Sequence, residues 1–166
     1  MKIMLRAENG ESDVDLRDID NENWEECIFL TTNKDREHFV CEEFVASNAL
    51  SLAQSKIQKG WITKAIYDGD LMVGFTMYGF NYEHNYYEIC RLMIDSKYQG
   101  KGYGKRALGE VIEEMKQIEG CKEIFLSFEP DNRVAKRLYE SFNFKDTGKR
   151  MSVQTNDGEL VYSLKL

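Results

Sequence analysis

Three glycines alternate at positions 100, 102 and 104, directly after the apolar stretch from Tyr86 to Ile94 and directly before an amphipathic helix. In that helix Leu108, Val111, Ile112 and Met115 fall at i, i+3, i+4 and i+7, with Glu113, Glu114, Lys116 and Gln117 turned outward. A strand that must pass into a helix through such a turn confines the chain to a mixed arrangement of sheet and helices. Glycine tolerates positive φ and lets the backbone come close to a ligand. Amides at the start of a helix then converge on an anion, helped by the positive end of the helix dipole. Lys101, Lys105 and Arg106 add positive charge here, in a chain whose net charge is −7. The local reading is a phosphate or pyrophosphate cradle, and the plain alternative is a strand-to-helix turn with no ligand.

Spacing narrows the ligand. A P-loop requires GxxxxGK[ST], but Gly100 to Gly104 is one residue short of it and Arg106 stands where Ser or Thr would meet magnesium. A dinucleotide fingerprint requires GxGxxG after a βαβ start, and neither Gly100-x-Gly102 nor Gly102-x-Gly104 continues that way.

Around the loop, the 166 residues read as one domain spanning 1–166, with no low-complexity stretch, repeat or linker and a single proline, Pro130. A strand is expected at Val14 to Asp18, then Asp20 or Asn21 as the cap of a helix from Trp24 to Leu30. A second helical stretch runs roughly from Phe39 to Gln58 and carries Phe44, Val45, Leu52 and Ile57. Trp61 to Tyr67 and Leu71 to Phe80 flank Asp68-Gly69-Asp70, the mark of a tight hairpin. Tyr86 to Ile94 follows as a strand, whose alternation puts Glu88, Cys90, Leu92 and Ile94 on one face and Ile89, Arg91 and Met93 on the other. Ile124-Phe125-Leu126 reads as a buried strand. Asp131 or Asn132 caps a short helix to Phe142, Asn143 suits its left-handed stop, and a last hairpin turns at Asn156-Asp157-Gly158. This order is that of an α/β (α+β) fold with a mixed sheet.

The pattern Gln99-x-x-Gly102-x-Gly104 after a strand resembles the [QR]xxGx[GA] pyrophosphate loop of the GNAT superfamily of N-acetyltransferases. The run Ile94-Asp95-Ser96-Lys97-Tyr98-Gln99-Gly100-Lys101-Gly102 is most similar to bacterial spermidine/diamine N-acetyltransferases. The resemblance extends from Val14-Asp15-Leu16-Arg17 to the final hairpin and is strongest over 86–145. It implies a central mixed β-sheet of about six to seven strands flanked by about four helices, and acetyl-CoA as cosubstrate. In that superfamily the strand before the loop splays from its neighbour and pairs with the pantetheine arm, which by position implicates Leu92, Met93 and Ile94. The segment from Gln99 through Gly100, Lys101, Gly102, Tyr103 and Gly104 to Lys105 would hold the pyrophosphate.

A second segment, from Asp131 to Phe144, resembles the family's N-x-x-A-x-x-[LF]-Y-x-x-x-G-F motif. The resemblance places Asn132, Ala135 and Lys136 at the cofactor and the Tyr139 hydroxyl by the sulfur, as the acid that protonates the departing thiolate. The bland reading is that Tyr139, on a face with Ala135, Leu138 and Phe142, is core. The family's glycine after this helix is Asn143 here, which accepts the same left-handed conformation.

The acceptor amine must lose a proton, since an ammonium of pKa about 10.4 is only roughly one part in 2,500 nucleophilic at pH 7. Glu88 is the candidate base. It lies eleven residues before Gln99 in a Glu-Ile pair, the offset and pair that the superfamily's histone acetyltransferases share. His84 in the preceding loop and a water are the alternatives, and Cys90 as an acyl-carrying nucleophile is less consistent with direct transfer. Acidic clusters at Glu25-Glu26, Asp35, Glu37 and Glu42-Glu43 would attract a cationic small-molecule amine such as a polyamine, although solvated helix faces look the same. The acidity also argues against a nucleic-acid partner.

Cys27, Cys41, Cys90 and Cys121 share no CxxC spacing, so no metal and no disulfide framework is expected. No apolar run reaches the about 18 residues of a membrane span, and Met1 to Arg6 is too short and soon too acidic for a signal peptide, so the reading is a cytoplasmic protein without a membrane partner. Oligomeric state is left open, a homodimer included.

Overall fold

The architecture is taken from a computed structural model, which describes residues 13–33, 47–152 and 158–166. The expected helix start near Phe39, with Phe44 and Val45, the acidic residues Asp35, Glu37, Glu42 and Glu43, and the turn residues Asn156 and Asp157 lie outside the described residues.

The elements in chain order are β1 (Val14–Asp18), α1 (Trp24–Phe29), α2 (Asn48–Ile57), β2 (Trp61–Asp68), β3 (Leu71–Asn81), β4 (Tyr86–Ile94), α3 (Tyr103–Lys116), β5 (Glu123–Phe128), α4 (Arg133–Ser141), β6 (Lys145–Met151) and β7 (Glu159–Lys165). They form a seven-stranded sheet in the order β1-β2-β3-β4-β5-β7-β6, antiparallel except where β4 meets β5. The sheet is the mixed one expected, with seven strands and four helices. Strand β3 is buried on both faces from Met72 to Gly79, which is why its sequence reads as a continuous apolar run rather than an alternation.

Helices α1 and α2 cover one face. Their core is Cys27 from α1 with Phe75, Met77 and Met93 of the sheet, and the buried Asn48 donates its Nδ2–H to Cys27 O at 2.8 Å, joining α2 to α1. Helices α3 and α4 cover the other face. There Leu108, Val111, Ile112 and Met115 meet Tyr78, Ile89, Ile124, Leu126 and Tyr162, the stripe that the 3.6-residue period announces. One cap differs from expectation in an instructive way. Helix α1 starts after Asn23 rather than Asp20 or Asn21, because Asp20 Oδ1 is used by the Glu22 N–H and Asn23 Oδ1 reaches back to the Asp20 N–H, closing a turn ahead of the helix. Helix α2 begins at Asn48 behind a Ser47 cap that accepts from Leu50 N at 3.1 Å. Asn143 takes φ of 66°, the left-handed stop.

Candidate active site

Strands β4 and β5 are joined by only two register pairs, Tyr87↔Ile124 and Glu88↔Phe125. Beyond Glu88 the two parallel strands diverge, and a wedge opens between Ile89–Ile94 on one side and Leu126–Phe128 on the other. Strand β4 keeps its partner β3 throughout but carries a bulge: Met77 pairs with Arg91 and Tyr78 with Ile89, leaving Cys90 as the extra residue. A bulge shifts the side-chain phase by one. The regular alternation expected for β4 therefore fails at Cys90. Ile89 faces α3, Cys90 and Met93 both face α1, and Leu92 and Ile94 return to the α3 side. Glu88 and Leu92 consequently do not share a face. The Arg91 guanidinium lies back over its neighbour, with Nη1 donating to Cys90 O at 2.7 Å.

The glycine loop sits at the mouth of this wedge. Gly100 and Gly102 take φ of 76° and 81°, and a Cβ at Gly102 would meet nothing closer than Arg106 NH1 at 3.7 Å, so backbone angle rather than crowding demands glycine there. Gly102 is the residue before helix α3, whose first bond runs from Arg106 N to Gly102 O. The amides of Gly104 and Lys105 therefore have no carbonyl within the helix to donate to, as at any helix start. Side chains around the loop are spent on holding it. Gln99 Nε2 donates to Ile94 O at 3.0 Å and to Thr32 O at 3.3 Å. The Tyr103 hydroxyl donates to Asp68 Oδ2 at 2.5 Å, and the Arg106 guanidinium stacks over the Tyr103 ring. Lys101 and Lys105 stay exposed and extend the positive rim. The backbone is left as the surface that could hold an anion, and the residues of the loop fit a pyrophosphate.

Helix α4 meets the loop from the far side. A Cβ on Gly104 would lie 3.8 Å from Leu138 Cδ2 and 3.9 Å from Ile94 Cγ1, so the second motif, the glycine loop and the end of β4 touch at one point. Asn132 caps α4, its Oδ1 accepting from Ala135 N at 3.0 Å. Its oxygen thus has a structural role that the resemblance alone did not give. Ala135 packs into the core beneath α3, and Lys136 is exposed beside Glu140. The Tyr139 ring stands 5.3 Å from Phe128 and 5.9 Å from Phe144, at the diverged end of β5. Burial, aided by the charge of Glu159, pushes its phenol up to about 12. Among the described residues no hydrogen bond engages its hydroxyl.

Glu88 lies where the wedge begins and is only 5% exposed. Burial raises its pKa above the ordinary carboxylate value. Asn81, His84 and Arg91 oppose the rise, and Glu159 adds to it. His84 is exposed on the turn before β4, its Nδ1 3.2 Å from the Tyr86 hydroxyl. Cys90 is pushed up to about 12 by burial, so its sulfur remains a thiol at neutral pH. Three residues belong to the site that spacing did not reveal. Asn81 donates to Glu88 Oε2, and Ser127 donates to Glu159 Oε2 at 2.5 Å, with Glu159 at the start of β7. A cavity of about 340 Å³ adjoins them, lined in part by His84, Tyr86, Phe125, Lys149 and Arg150.

A family model described as the acetyltransferase (GNAT) family matches residues 14–144. Over 88 residues the chain is 41% identical to the spermine/spermidine N(1)-acetyltransferase of Bacillus subtilis, a match covering 49% of this chain and 57% of that protein. The chain thus spans little more than half the length of that relative. It is also 35% identical over 88 residues to the N-acetylaspartate synthetase of Xenopus tropicalis, covering 53% of this chain and 31% of that protein. The crystal structure of spermidine N-acetyltransferase from Vibrio cholerae in complex with CoA and spermine superposes with a TM-score of 0.72 over 94% of this chain and 96% of that one, at 21% identity, a likeness of fold.

Proposed function

The chain belongs to the GNAT acetyltransferase family, and we propose from that premise that it transfers an acetyl group directly from acetyl-CoA to a primary amine, with a polyamine as the acceptor. One convergence carries the reading: the glycine loop, the Tyr139 helix and the splayed end of β4 meet at Gly104, with Glu88 at the wedge's closed end. An anion cradle alone would serve any phosphate ligand. An anion cradle beside an open strand edge, a protonated phenol and a buried carboxylate serves a thioester.

In this reading the loop amides from Gln99 to Lys105 hold the pyrophosphate, and the exposed edge of β4 at Leu92, Met93 and Ile94 pairs with the pantetheine arm. The backbone near Leu92 and Met93 also polarises the thioester carbonyl. Glu88 takes the ammonium proton, directly or through water. Its raised pKa makes it a stronger base than an exposed carboxylate, which reduces a deficit of about 4.6 kcal/mol for a free ammonium at pH 7. The free amine attacks the carbonyl carbon, the tetrahedral intermediate gives up its remaining N–H proton to water as it collapses to the amide, and Tyr139 hydrogen-bonds the departing CoA thiolate, which takes its proton from solvent. A thiol held at about 12 makes an acyl-Cys90 intermediate unfavourable.

Polyamine acceptors are supported by the Bacillus subtilis relative's name and by the carboxylates Glu88 and Glu159 at the site. A second reading, a protein N-terminus or lysine, is favoured by Lys149 and Arg150 on the adjoining cavity, which repel a long polycation and suit a peptide with acidic side chains. The test is thiol release with acetyl-CoA and a panel of spermidine, spermine, diamines, aminoglycosides and acidic and basic peptides. Selective turnover of polyamines supports the first reading and selective turnover of peptides the second. Acetyl-CoA binding without release for any amine would leave a CoA-binding regulatory module.

A further inference from the structure

Asn81 closes β3 and belongs to none of the motifs in the sequence, yet both ends of its amide are engaged. Its Oδ1 accepts from the Glu83 N–H at 2.9 Å and from the His84 N–H at 3.1 Å. Two backbone donors on one atom identify that atom as the oxygen, which removes the usual ambiguity of an asparagine side chain. Nδ2 therefore faces Glu88 and donates to its Oε2 at 2.7 Å. The same Nδ2 lies 3.1 Å from His84 Nδ1. Since an amide nitrogen can only donate, Nδ1 is the acceptor and the neutral ring carries its proton on Nε2.

We propose that Asn81 is a positioning residue for Glu88, holding the carboxylate ionised and in one orientation at the closed end of the wedge while its oxygen locks the turn that carries His84. The proposal deepens the acetyl-transfer reading and rests on Glu88 being the base. The titratable and charged groups around that carboxylate are His84 on the turn, Arg91 on β4 itself and Glu159 on β7. Of the influences that favour its ionised form, the Asn81 hydrogen bond is the largest. Burial opposes all of them, so the donor's loss leaves Glu88 holding its proton to higher pH.

Asn81→Asp separates the two roles. One carboxylate oxygen keeps both backbone amides, while the donor toward Glu88 is replaced by an acceptor. The expected result is an unchanged acetyl-CoA affinity, a Tm lowered where both facing carboxylates are charged, and kcat/KM for the amine reduced at least about tenfold at neutral pH, the order of one hydrogen bond to a charged group. The acid limb of the pH profile moves to higher pH and activity recovers there. Asn81→Ala, which also frees the turn, shows the same pH displacement with a lower Tm. A readout without turnover accompanies these: the Glu88 carboxyl is titrated by carbon-13 NMR in glutamate-labelled protein, with Glu88→Gln supplying the assignment. A titration displaced upward in Asn81→Ala, which adds no charge, supports the proposal, and an undisplaced one in Asn81→Ala overturns it, because Asn81→Asp also raises the Glu88 value by repulsion. A displaced titration with an unchanged pH profile supports the hold of Asn81 on Glu88 and sinks the assignment of Glu88 as base.

Discussion

Burial pushes the Tyr139 phenol up to about 12, so it keeps its proton at neutral pH and can donate a hydrogen bond. In the proposed acetyl transfer that hydrogen bond would stabilise charge on the departing sulfur. Tyr139→Phe should lower kcat about ten- to a hundredfold, the range for a hydrogen bond to a charged group, with the Kd of acetyl-CoA unchanged by calorimetry. An unchanged kcat would remove the role. Glu88 makes the complementary case, because the burial that makes it basic opposes folding. A carboxyl whose folded pKa is raised binds its proton more tightly folded than unfolded, so stability falls as pH rises through that interval and the loss is complete above it. Glu88→Gln should thus be at least as stable as the parent at pH 7 and lose that advantage on acidification below the carboxylate range, measured as Tm against pH. Its kcat/KM should fall, and then climb as pH approaches the amine's own pKa. A defect that pH does not relieve would point to a binding role instead. As candidates, Glu88 and Tyr139 could be picked out by resemblance and by their offsets to the loop, whereas the contacts of Asn81, Ser127 and Glu159 could not, since nothing along the chain relates the ends of β3, β5 and β7 before they share a sheet.

At the scale of elements, the glycine loop depends on single backbone angles. Gly102 sits at φ of 81°, which costs an L side chain about 1–2 kcal/mol, whereas Gly104 has ordinary van der Waals room for a methyl. Gly102→Ala should raise the KM for acetyl-CoA several-fold and lower the Tm by a few degrees. Gly104→Ala should do neither, so equal damage from both would contradict this account of the loop. Hydrophobic period revealed β2 to β4 and α3 because each buries a whole face. It missed the bulge because Cys90, Arg91, Leu92 and Met93 satisfy either phase of alternation, and only the pairing with Met77 and Tyr78 decides which residue is extra. The bulge is also what puts Met93 beside Cys90 on the α1 face, where burial suppresses the acidity of Cys90. Cys90→Ala should retain kcat within about twofold, with no acetylated enzyme seen by mass spectrometry under turnover.

Across the whole molecule, the sheet consists of two blocks, β1-β2-β3-β4 and β5-β7-β6, joined in register only at Tyr87↔Ile124 and Glu88↔Phe125. Helices α3 and α4 bridge them on one face. A splayed parallel pair leaves backbone donors and acceptors without a ladder partner along the wedge, an arrangement tolerable where solvent or a ligand reaches them. The sequence could announce strands on both sides of this gap but not the gap itself, since divergence is a relation between β4 and β5 and leaves no mark on either. A pantetheine arm lying in the wedge would act as the missing rung between the blocks. Acetyl-CoA at a hundred times its Kd should then stabilise the fold by about 2.7 kcal/mol and raise the Tm. Hydrogen exchange locates the effect: protection should appear at the loop amides and also in β4 beyond Glu88 and in β5 from Leu126 to Phe128. Inorganic pyrophosphate, which has no arm, should protect the loop alone. Equal protection patterns from the two ligands would mean that the cradle binds its anion without the wedge taking part, and the pairing of the cosubstrate with β4 would have to be abandoned.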